Sequence, residues 1–267
     1  MSVFLPDLLA GRHAFITGGS SGINLGIAEK LAAHGAKVRI NGRKPEKIEA
    51  AVEGIRAKGG TAAGAPADVR DHAALEAQIV ASVQEWGPID ILVSGAAGNF
   101  PAPAVMISPN GFKSVMDIDV LGTFHAARAA FPHLRQPGAC VIHVSAPQAY
   151  VPMPLQAHVC AAKAGVDMLT RVLAMEWGSL GIRVNSLTPG PIEGTEGVAR
   201  LAPTDEARAV VVRNVPLGRL GTRDDISDFA LFLCSDAARF VTGAVLVCDG
   251  GQSLMGGGAL VSGLMGG

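Results

Sequence analysis

A glycine-rich turn between a strand and a helix constrains the fold more than any other feature of this sequence. The turn, residues 17–26, reads TGGSSGINLG; it follows the apolar segment 12–17 and precedes the amphipathic segment 23–34. Glycines permit a tight backbone path, and the following helix directs its first N–H groups and its positive dipole end at the turn. This context is the one that a dinucleotide-binding fingerprint requires; an ordinary glycine-rich loop is the structural alternative.

The rest of the chain repeats the alternation of strand and helix. We predict further strands at 37–41, 62–67, 89–96, 139–146, 182–190 and 244–251. We predict further helices at 45–60, 71–87, 109–133, 156–178 and 223–236. Apolar, β-branched strands separated by helices indicate a parallel sheet covered on both faces. The predicted fold class is therefore α/β: a single-domain, doubly wound Rossmann fold over residues 1–267, with a parallel sheet of about seven strands.

Composition excludes several kinds of function. With 49% hydrophobic and 17% charged residues the chain is not a disordered one. A net charge of -1 gives no electrostatic reason to bind nucleic acid or an anionic membrane. No apolar run approaches the roughly 18 residues of a spanning helix, and residues 1–13 lack the features of a signal peptide. We expect a cytoplasmic protein with no membrane and no nucleic-acid partner.

The four cysteines support the same location. They are Cys140, Cys160, Cys234 and Cys248, and none forms a C-x-x-C pair. We predict that they are small hydrophobic residues of the interior, and we expect neither a disulfide scaffold nor a metal site.

The end of the second strand predicts which dinucleotide binds. An NAD-selective site places an acidic residue there to accept hydrogen bonds from the ribose 2′-hydroxyl, but this chain reads Asn41-Gly42-Arg43-Lys44. Arg43 is suited to pair with a 2′-phosphate, and Lys44 adds charge. The alternative is two solvated cations at the start of a helix. Because the acid is missing, we predict NADPH.

These motifs resemble those of the short-chain dehydrogenase/reductase family over almost the whole chain. Thr17, Gly18 and Gly22 match its T-G-x-x-x-G-x-G turn, while Asn24 replaces the third glycine. Ser145 ends the fifth strand as the family's active-site serine does, and Lys163 matches the lysine of Y-x-x-x-K. The resemblance implies cofactor contacts, besides Arg43 and Lys44, from Thr17, Gly18, Ser20, Ser21, Gly22, Ile23, Asp68, Val69, Ala96, Ala97, Gly98, Lys163, Pro189, Gly190, Ile192 and Thr195.

The main departure from that family is Val159, which occupies the tyrosine position four residues before Lys163. The single tyrosine, Tyr150, lies on the predicted loop after the fifth strand, where it either reaches the nicotinamide or merely lines the pocket. Reduction of a ketone needs a proton on an alkoxide, whereas reduction of an activated C=C bond spreads charge through an enolate and returns the proton to carbon. A site without the phenol therefore favours reduction of C=C bonds.

A closer resemblance agrees with this interpretation. The segments AAGNFPAPA, FKSVMDIDVLGTF, LTRVLAMEWG, IRVNSLTPGPIEGTEG and FVTGAVLVCDGG look like those of the 2,4-dienoyl-CoA reductases, especially the peroxisomal type. That subfamily lacks the same tyrosine, and it carries an aspartate at the Asp119 position and a histidine at the His158 position. The resemblance implies an NADPH-dependent reductase of a conjugated acyl-CoA. Its predicted catalytic residues are Asp119, Lys163, Ser145 and Tyr150, and its predicted substrate contacts are Asn99, Phe100, Tyr150 and His158.

Alternatives remain at several levels. The alternative to a catalytic role for Asp119 is that of a structural acid, and the alternative to substrate binding by His158 is a packing role. Two alternative functions for the chain are a 3-oxoacyl or other carbonyl reductase that recruits Tyr150 and an NADPH-binding regulatory protein without turnover. We also predict a substrate lid at 191–214, because prolines and glycines interrupt regular structure there, a glycine-rich tail at 252–267, and a homotetramer.

Overall fold

The computed structural model describes residues 3–255. Seven strands form its centre: β1 (His13–Thr17), β2 (Lys37–Gly42), β3 (Thr61–Pro66), β4 (Ile91–Ser94), β5 (Cys140–Val144), β6 (Arg183–Pro189) and β7 (Val245–Cys248). The α-helices are α1 (Gly22–Ala33), α2 (Pro45–Ala57), α3 (His72–Trp86), α4 (Pro109–Met116), α5 (Gly122–Ala130), α6 (Ala157–Trp177), α7 (Glu196–Leu201), α8 (Asp205–Arg213) and α9 (Arg223–Cys234).

The strands form one parallel sheet in the order β3-β2-β1-β4-β5-β6-β7. This confirms the predicted α/β class and the count of seven strands. The strand order reverses between β1 and β4, so the loops that follow these two strands diverge. In a doubly wound sheet, such a reversal opens a crevice at the carboxyl ends of the strands.

Two apolar layers cover the sheet, one on each face. On one face, buried side chains of α1, α2 and α9 pack against β1, β2 and β4, with Ile27 and Ile226 fully buried. On the other face, α3, α5 and α6 pack against β1, β4 and β5, with Phe15 and Leu92 fully buried. The strands read as continuous apolar runs because both of their faces are covered.

The structure corrects the predicted elements in two places. The helix predicted at 109–133 is not continuous, because a π-helical turn, Asp117–Leu121, separates α4 from α5 and a 3₁₀ turn, Phe131–His133, follows α5. The short helices α7 and α8 were not predicted; they lie inside 191–214, where glycine and proline obscure helical periodicity. Of the predicted tail, only residues 252–255 lie within the described residues.

The cysteines behave as small interior residues in the part of the chain that the structure describes. All four are free; Cys140 and Cys234 are buried, and the other two are half-buried. Residues 3–255 contain no group of three or more side chains able to hold a metal ion. Over the same residues, no helix combines the length and the apolar character needed to cross a membrane.

Candidate active site

A cavity of about 760 Å³ lies along the carboxyl edge of the sheet, at the reversal of strand order. Loops that follow β1 to β6 line it, together with residues of α6, α7 and α8. Its volume is typical of sites for small molecules and cofactors. It contains nearly all of the predicted cofactor contacts, so the crevice expected from the topology is the one the sequence motifs surround.

The glycine turn forms one end of this cavity. Gly18 and Gly22 adopt positive φ angles of 68° and 58°, and a Cβ atom on Gly18 would lie 2.9 Å from the backbone of Ala96. The turn after β1 therefore lies directly against the loop after β4. Ser21 precedes α1 without capping it by its side chain, which leaves the first N–H groups of α1 without a side-chain cap beside the cavity. Free N–H donors at a helix start are a favourable site for a phosphate group.

Asn24 replaces a glycine of the fingerprint and has a contact of its own. Its Nδ2 donates a hydrogen bond to the carbonyl oxygen of Gly95 at 2.7 Å. A Cβ atom on Gly95 would lie 2.2 Å from Asn24 Oδ1, so a side chain at residue 95 would displace the Asn24 amide from this position. The amide thus links the turn after β1 to the loop after β4, and Asn24 still borders the cavity.

Three cations lie beyond the end of β2. Arg43 and Lys44 line the cavity as predicted, and Lys47, on the first turn of α2, joins them. Sequence reasoning missed Lys47, although its spacing from Lys44 places it one helical turn away. No acidic residue ends β2, but Asp68 follows β3 and lines the cavity. Arg70 binds this carboxylate at 2.6 Å and holds the pKa of Asp68 below its ordinary value.

The chemical end of the cavity contains a buried ion pair between Asp119 and Lys163. Lys163 Nζ lies 3.1 Å from Asp119 Oδ2 and donates to the carbonyl oxygen of Val144 at 3.1 Å. Asp119 Oδ1 accepts a hydrogen bond from the backbone N–H of Gly98 at 2.7 Å. Only 1% of Asp119 and 6% of Lys163 is exposed. Such a buried pair persists only when further hydrogen bonds compensate for lost hydration, and the contacts with Gly98 and Val144 supply them.

The π-helical turn is what places Asp119 there. Such turns are rare and often occur at functional sites. Thr123 Oγ donates to the carbonyl oxygen of Asp119 at 2.6 Å, which provides a partner for the backbone in the altered helix. A Cβ atom on Gly122 would lie 2.6 Å from Val69 Cγ2, so the glycine lets α5 approach the loop after β3.

Ser145 follows β5, next to the carbonyl that Lys163 binds. It is 4% exposed and borders the cavity, and its Oγ has no hydrogen-bond partner among residues 3–255. Buried hydroxyl groups nearly always have a partner, so one left open toward a cavity is available to a ligand. Val159 also borders the cavity and packs with Val115 and Ala162, which makes this wall apolar where the family tyrosine would stand.

Three of the four predicted substrate contacts lie off the cavity wall. Tyr150 directly follows the 3₁₀ turn Pro147–Ala149 and is 47% exposed, and partial burial raises the pKa of its phenol. Phe100 and His158 contact each other instead, with ring centroids 4.2 Å apart. Burial lowers the pKa of His158, in keeping with a neutral packing residue. The positions of these three residues on their loops and on α6 keep their side chains out of the cavity lining. Hydrophobic periodicity in the sequence does not specify side-chain direction on such loops.

Thr17 is the one predicted cofactor contact that does not line the cavity. It is 1% exposed, and its Oγ accepts a hydrogen bond from the N–H of Gly95 at 3.2 Å. Its side chain holds the loops after β1 and β4 together rather than lining the cavity.

A polar layer is buried behind the ion pair. His143 Nδ1 and Thr170 Oγ lie 2.8 Å apart, and Ser186 Oγ donates to Asp167 Oδ1 at 2.7 Å. His143 is fully buried, and this burial lowers its pKa to about 4. The imidazole is therefore neutral at physiological pH.

The segment 191–214 forms the last wall of the cavity. Thr195 donates to the carbonyl oxygen of Ile192 at 2.7 Å and caps α7. Asn99, from the loop after β4, also lines the cavity, and its carbonyl oxygen accepts a hydrogen bond from Arg200 of this segment. The lining residues that the sequence did not indicate singly include Lys47, Gln148 and Met153, and also Val198, Arg200, Leu201 and Val211, which lie within the predicted lid at 191–214. Most of them lie on loops or on α7 and α8, which lack a motif that would have indicated them.

Comparisons with known proteins agree with this geometry. A family model described as enoyl-(acyl carrier protein) reductase matches residues 18–253. A peroxisomal 2,4-dienoyl-CoA reductase [(3E)-enoyl-CoA-producing] of Arabidopsis thaliana is 42% identical over 260 residues, which cover 94% of this chain and 87% of that protein.

Solved structures of dehydrogenases superpose on nearly the whole chain. A short chain dehydrogenase from Bacillus anthracis superposes with a TM-score of 0.82 at 38% identity, covering 91% of this chain and 96% of that one. A gluconate 5-dehydrogenase from Burkholderia cenocepacia, in complex with NADP and tartrate, superposes with a TM-score of 0.87 at 34% identity, covering 93% and 98%.

Proposed function

The chain belongs to the short-chain dehydrogenase/reductase family, and we propose that it is an NADPH-dependent reductase of 2,4-dienoyl-CoA thioesters. One observation carries the proposal. The cavity contains a buried Asp119–Lys163 pair beside an open Ser145 hydroxyl, while Val159 stands where a proton-donating phenol would. The similarity to a reductase named for dienoyl-CoA supports the same substrate.

The cavity fits a nicotinamide dinucleotide phosphate. The start of α1 offers free N–H donors for the pyrophosphate, and Arg43, Lys44 and Lys47 offer positive charge for a 2′-phosphate. Gly22 leaves open space at the turn, so a phosphate can approach the backbone closely. The NADP complex of a structural neighbour supports this choice. When bound, the cofactor supplies a hydride from its nicotinamide.

The residues at the chemical end stabilise the charge that this reduction creates. Hydride addition to the distal carbon of the diene spreads negative charge to the thioester oxygen as an enolate. Ser145 donates a hydrogen bond to that oxygen, and the ammonium group of Lys163 supplies a positive field. One proton then returns to carbon, which balances the hydride and removes one double bond. Asp119 holds Lys163 in place and orients the water that delivers this proton.

The apolar part of the cavity accommodates the acyl chain. Its lining includes Ile118 and Val159, together with Val198, Leu201 and Val211 of α7 and α8. We propose that residues 191–214 form a lid that closes over the acyl chain and excludes water from the enolate.

The geometry favours this function over the alternatives. A carbonyl reductase that recruits Tyr150 needs the phenol at the substrate, but Tyr150 lies off the cavity wall. A regulatory protein without turnover has no need for a buried ion pair and an open hydroxyl at the same end of the cavity.

A comparison of three thioesters tests the function. The purified protein is given NADPH with a 2,4-dienoyl-CoA, a 2-enoyl-CoA or a 3-oxoacyl-CoA of equal chain length, and absorbance at the nicotinamide band is followed. We expect oxidation of NADPH with the dienoyl-CoA and none with the 3-oxoacyl-CoA. Efficient reduction of the 3-oxoacyl-CoA would contradict the proposal, and tight NADPH binding with no turnover would favour the regulatory alternative.

We propose that the protein is a homotetramer and that it is located in the cytoplasm. Exposed apolar side chains on α5 and α6, among them Phe124, Met168, Val172 and Met175, support burial of these helices between subunits. Light scattering checks the mass, and a monomeric value would contradict the tetramer.

A further inference from the structure

Arg200 bridges two opposite walls of the cavity. It lies on α7, and its Nη1 donates a hydrogen bond to the backbone carbonyl oxygen of Asn99, on the loop after β4. Its Nη2 donates to Glu196 Oε1, one turn earlier on α7, at 2.8 Å. Both Arg200 and Asn99 border the cavity. The guanidinium group therefore connects the proposed lid to the body of the protein across the site.

This contact differs from the other polar contacts of α7 and α8. Within residues 3–255, the other side-chain hydrogen bonds of these two helices remain inside the segment 191–214, as between Arg208 and Asp205 at 3.4 Å. The segment is joined at its base by backbone bonds, such as Glu193 N–H to the carbonyl oxygen of Gly221 at 2.8 Å. The bond from Arg200 instead joins the segment to the loop after β4.

The loop that Arg200 binds also carries a contact to the catalytic carboxylate. The N–H of Gly98 donates to Asp119 Oδ1 at 2.7 Å, and the carbonyl of Asn99, the next residue, accepts from Arg200. Two consecutive residues thus connect the lid and the buried ion pair. A shift of this loop on lid opening would change the position of the N–H that orients Asp119.

The charge around Arg200 opposes a role in binding phosphate. Glu196 is the only other charged residue of α7, and its carboxylate already binds the guanidinium group. One donor set of the guanidinium is directed at Glu196 and another at Asn99. An anionic phosphate of the CoA portion would have to approach the carboxylate of Glu196 as well.

We propose that Arg200 is a positioning residue, a latch that holds the lid closed on the loop after β4 and thereby fixes Asp119 during reduction of the acyl thioester. The proposal rests on the proposed function for its kinetic test. Release of the latch lowers the closed fraction of the enzyme, and closure motions of this kind affect kcat and KM together.

Kinetics with two thioesters separate a latch from a phosphate contact. Arg200→Ala is compared with Arg200→Lys and with the control Arg208→Ala, whose side chain lies on α8 outside the cavity wall. The substrates are a 2,4-dienoyl-CoA and the matching N-acetylcysteamine thioester, which lacks all phosphates. We expect Arg200→Ala to lower kcat/KM about 10-fold on both, with NADPH affinity unchanged, since one charge-assisted hydrogen bond is lost. Arg200→Lys should recover part of the rate, and Arg208→Ala should match the wild type.

A loss confined to the CoA thioester would overturn the latch in favour of a phosphate contact, and no loss on either substrate would overturn any role at the site. Hydrogen exchange with NADPH alone provides a readout independent of turnover. Peptides from 195–202 and 97–100 should both exchange faster in Arg200→Ala than in Arg208→Ala. Equal exchange in the two variants would contradict the latch. If the wild type reduces no thioester, the proposed function fails while this exchange comparison still decides the latch.

Discussion

The two ends of the cavity carry different kinds of polar groups. One end, here called the nucleotide end, is formed by the glycine turn and the residues after β2. Its donors are backbone N–H groups of α1 and the exposed side chains of Arg43 and Lys44. At the chemical end, the polar groups are buried side chains: Asp119, Lys163 and Ser145. Backbone donors survive most substitutions, and exposed charges are screened by solvent. A buried charge has neither protection, so we expect substitution to be tolerated at the first end and severe at the second.

The largest effect is expected for the buried ion pair. Lys163→Ala should reduce kcat with a dienoyl-CoA by about 10³-fold or more, and Asp119→Asn by about 10²- to 10³-fold, because acid–base and electrostatic contributions are of that size. Asp119→Asn should leave NADPH affinity nearly unchanged. Steady-state kinetics and NADPH titration give both values.

A matched control pair lies on α4 and the π-helical turn that carries Asp119. Lys113 and Asp117 form an exposed pair at 2.5 Å that is outside the cavity wall. Lys113→Ala and Asp117→Asn should therefore retain wild-type rates. Circular dichroism of each variant checks that the fold is kept. A folded Lys163→Ala enzyme with near wild-type kcat would contradict the role of the pair.

A pH-dependent stability is expected from the polar layer behind the pair. Burial lowers the pKa of His143 to about 4 in the folded protein, whereas in the unfolded chain it is about 6.5. The unfolded chain therefore takes up the proton first as the pH falls. The stabilisation is complete above about pH 6.5 and is lost as the pH falls toward 4, by up to about 3 kcal/mol.

Denaturant titration of the wild type and His143→Gln at several pH values measures this effect. The free energy of unfolding of the wild type should decline more steeply between pH 6.5 and 4 than that of the variant. Parallel curves would contradict a buried neutral imidazole.

A smaller effect is expected at the nucleotide end. Arg43→Ala should weaken NADPH binding about 10- to 100-fold, the value of one charge-assisted hydrogen bond. NADH binding should be unchanged, because NADH has no 2′-phosphate. The control is Arg56→Ala, in the last turn of α2 and outside the cavity wall, where Arg56 donates to the carbonyl oxygen of Ala62 at 2.8 Å. Equal loss of both cofactors would count against the assignment of Arg43.

The smallest effect is expected where the family phenol is missing. Val159→Tyr should not increase the rate with a dienoyl-CoA, since no alkoxide needs a proton there. Tyr150→Phe should also leave the rate unchanged, because the phenol lies off the cavity wall. A gain of dienoyl reduction in Val159→Tyr would show that a phenol at this position assists the reaction.

The sequence predicted the parts of the site that depend on local pattern. The turn at 17–26 and the strands of the sheet were recognisable because glycine and apolar periodicity report backbone conformation directly. The same reasoning failed for the π-helical turn at Asp117–Leu121, because an inserted residue does not alter the composition of a helix. It also missed α7 and α8, whose packing against the cavity depends on contacts distant in sequence.

The sequence also did not predict the direction of several side chains. The motifs assigned Asp119 and Lys163 to one site, and the structure places them 3.1 Å apart, one on the π-helical turn and the other on α6. Tyr150 lies on an irregular turn, where neither the 3.6-residue nor the 2-residue period applies, so its direction was open. His158 precedes Val159 on α6 and therefore faces another side of the helix, where it contacts Phe100.

The most direct test of the account is to follow the two hydrogens of the reduction separately. A 2,4-dienoyl-CoA is reduced with NADPH deuterated at its transferable position, and in a second reaction with ordinary NADPH in D₂O; mass spectrometry locates the label in each product. The account predicts that the cofactor deuterium is found at the distal carbon of the former diene and that one solvent deuterium is found on another chain carbon. Transfer of the cofactor deuterium to the thioester carbonyl carbon, with the C=C bonds intact, would contradict it.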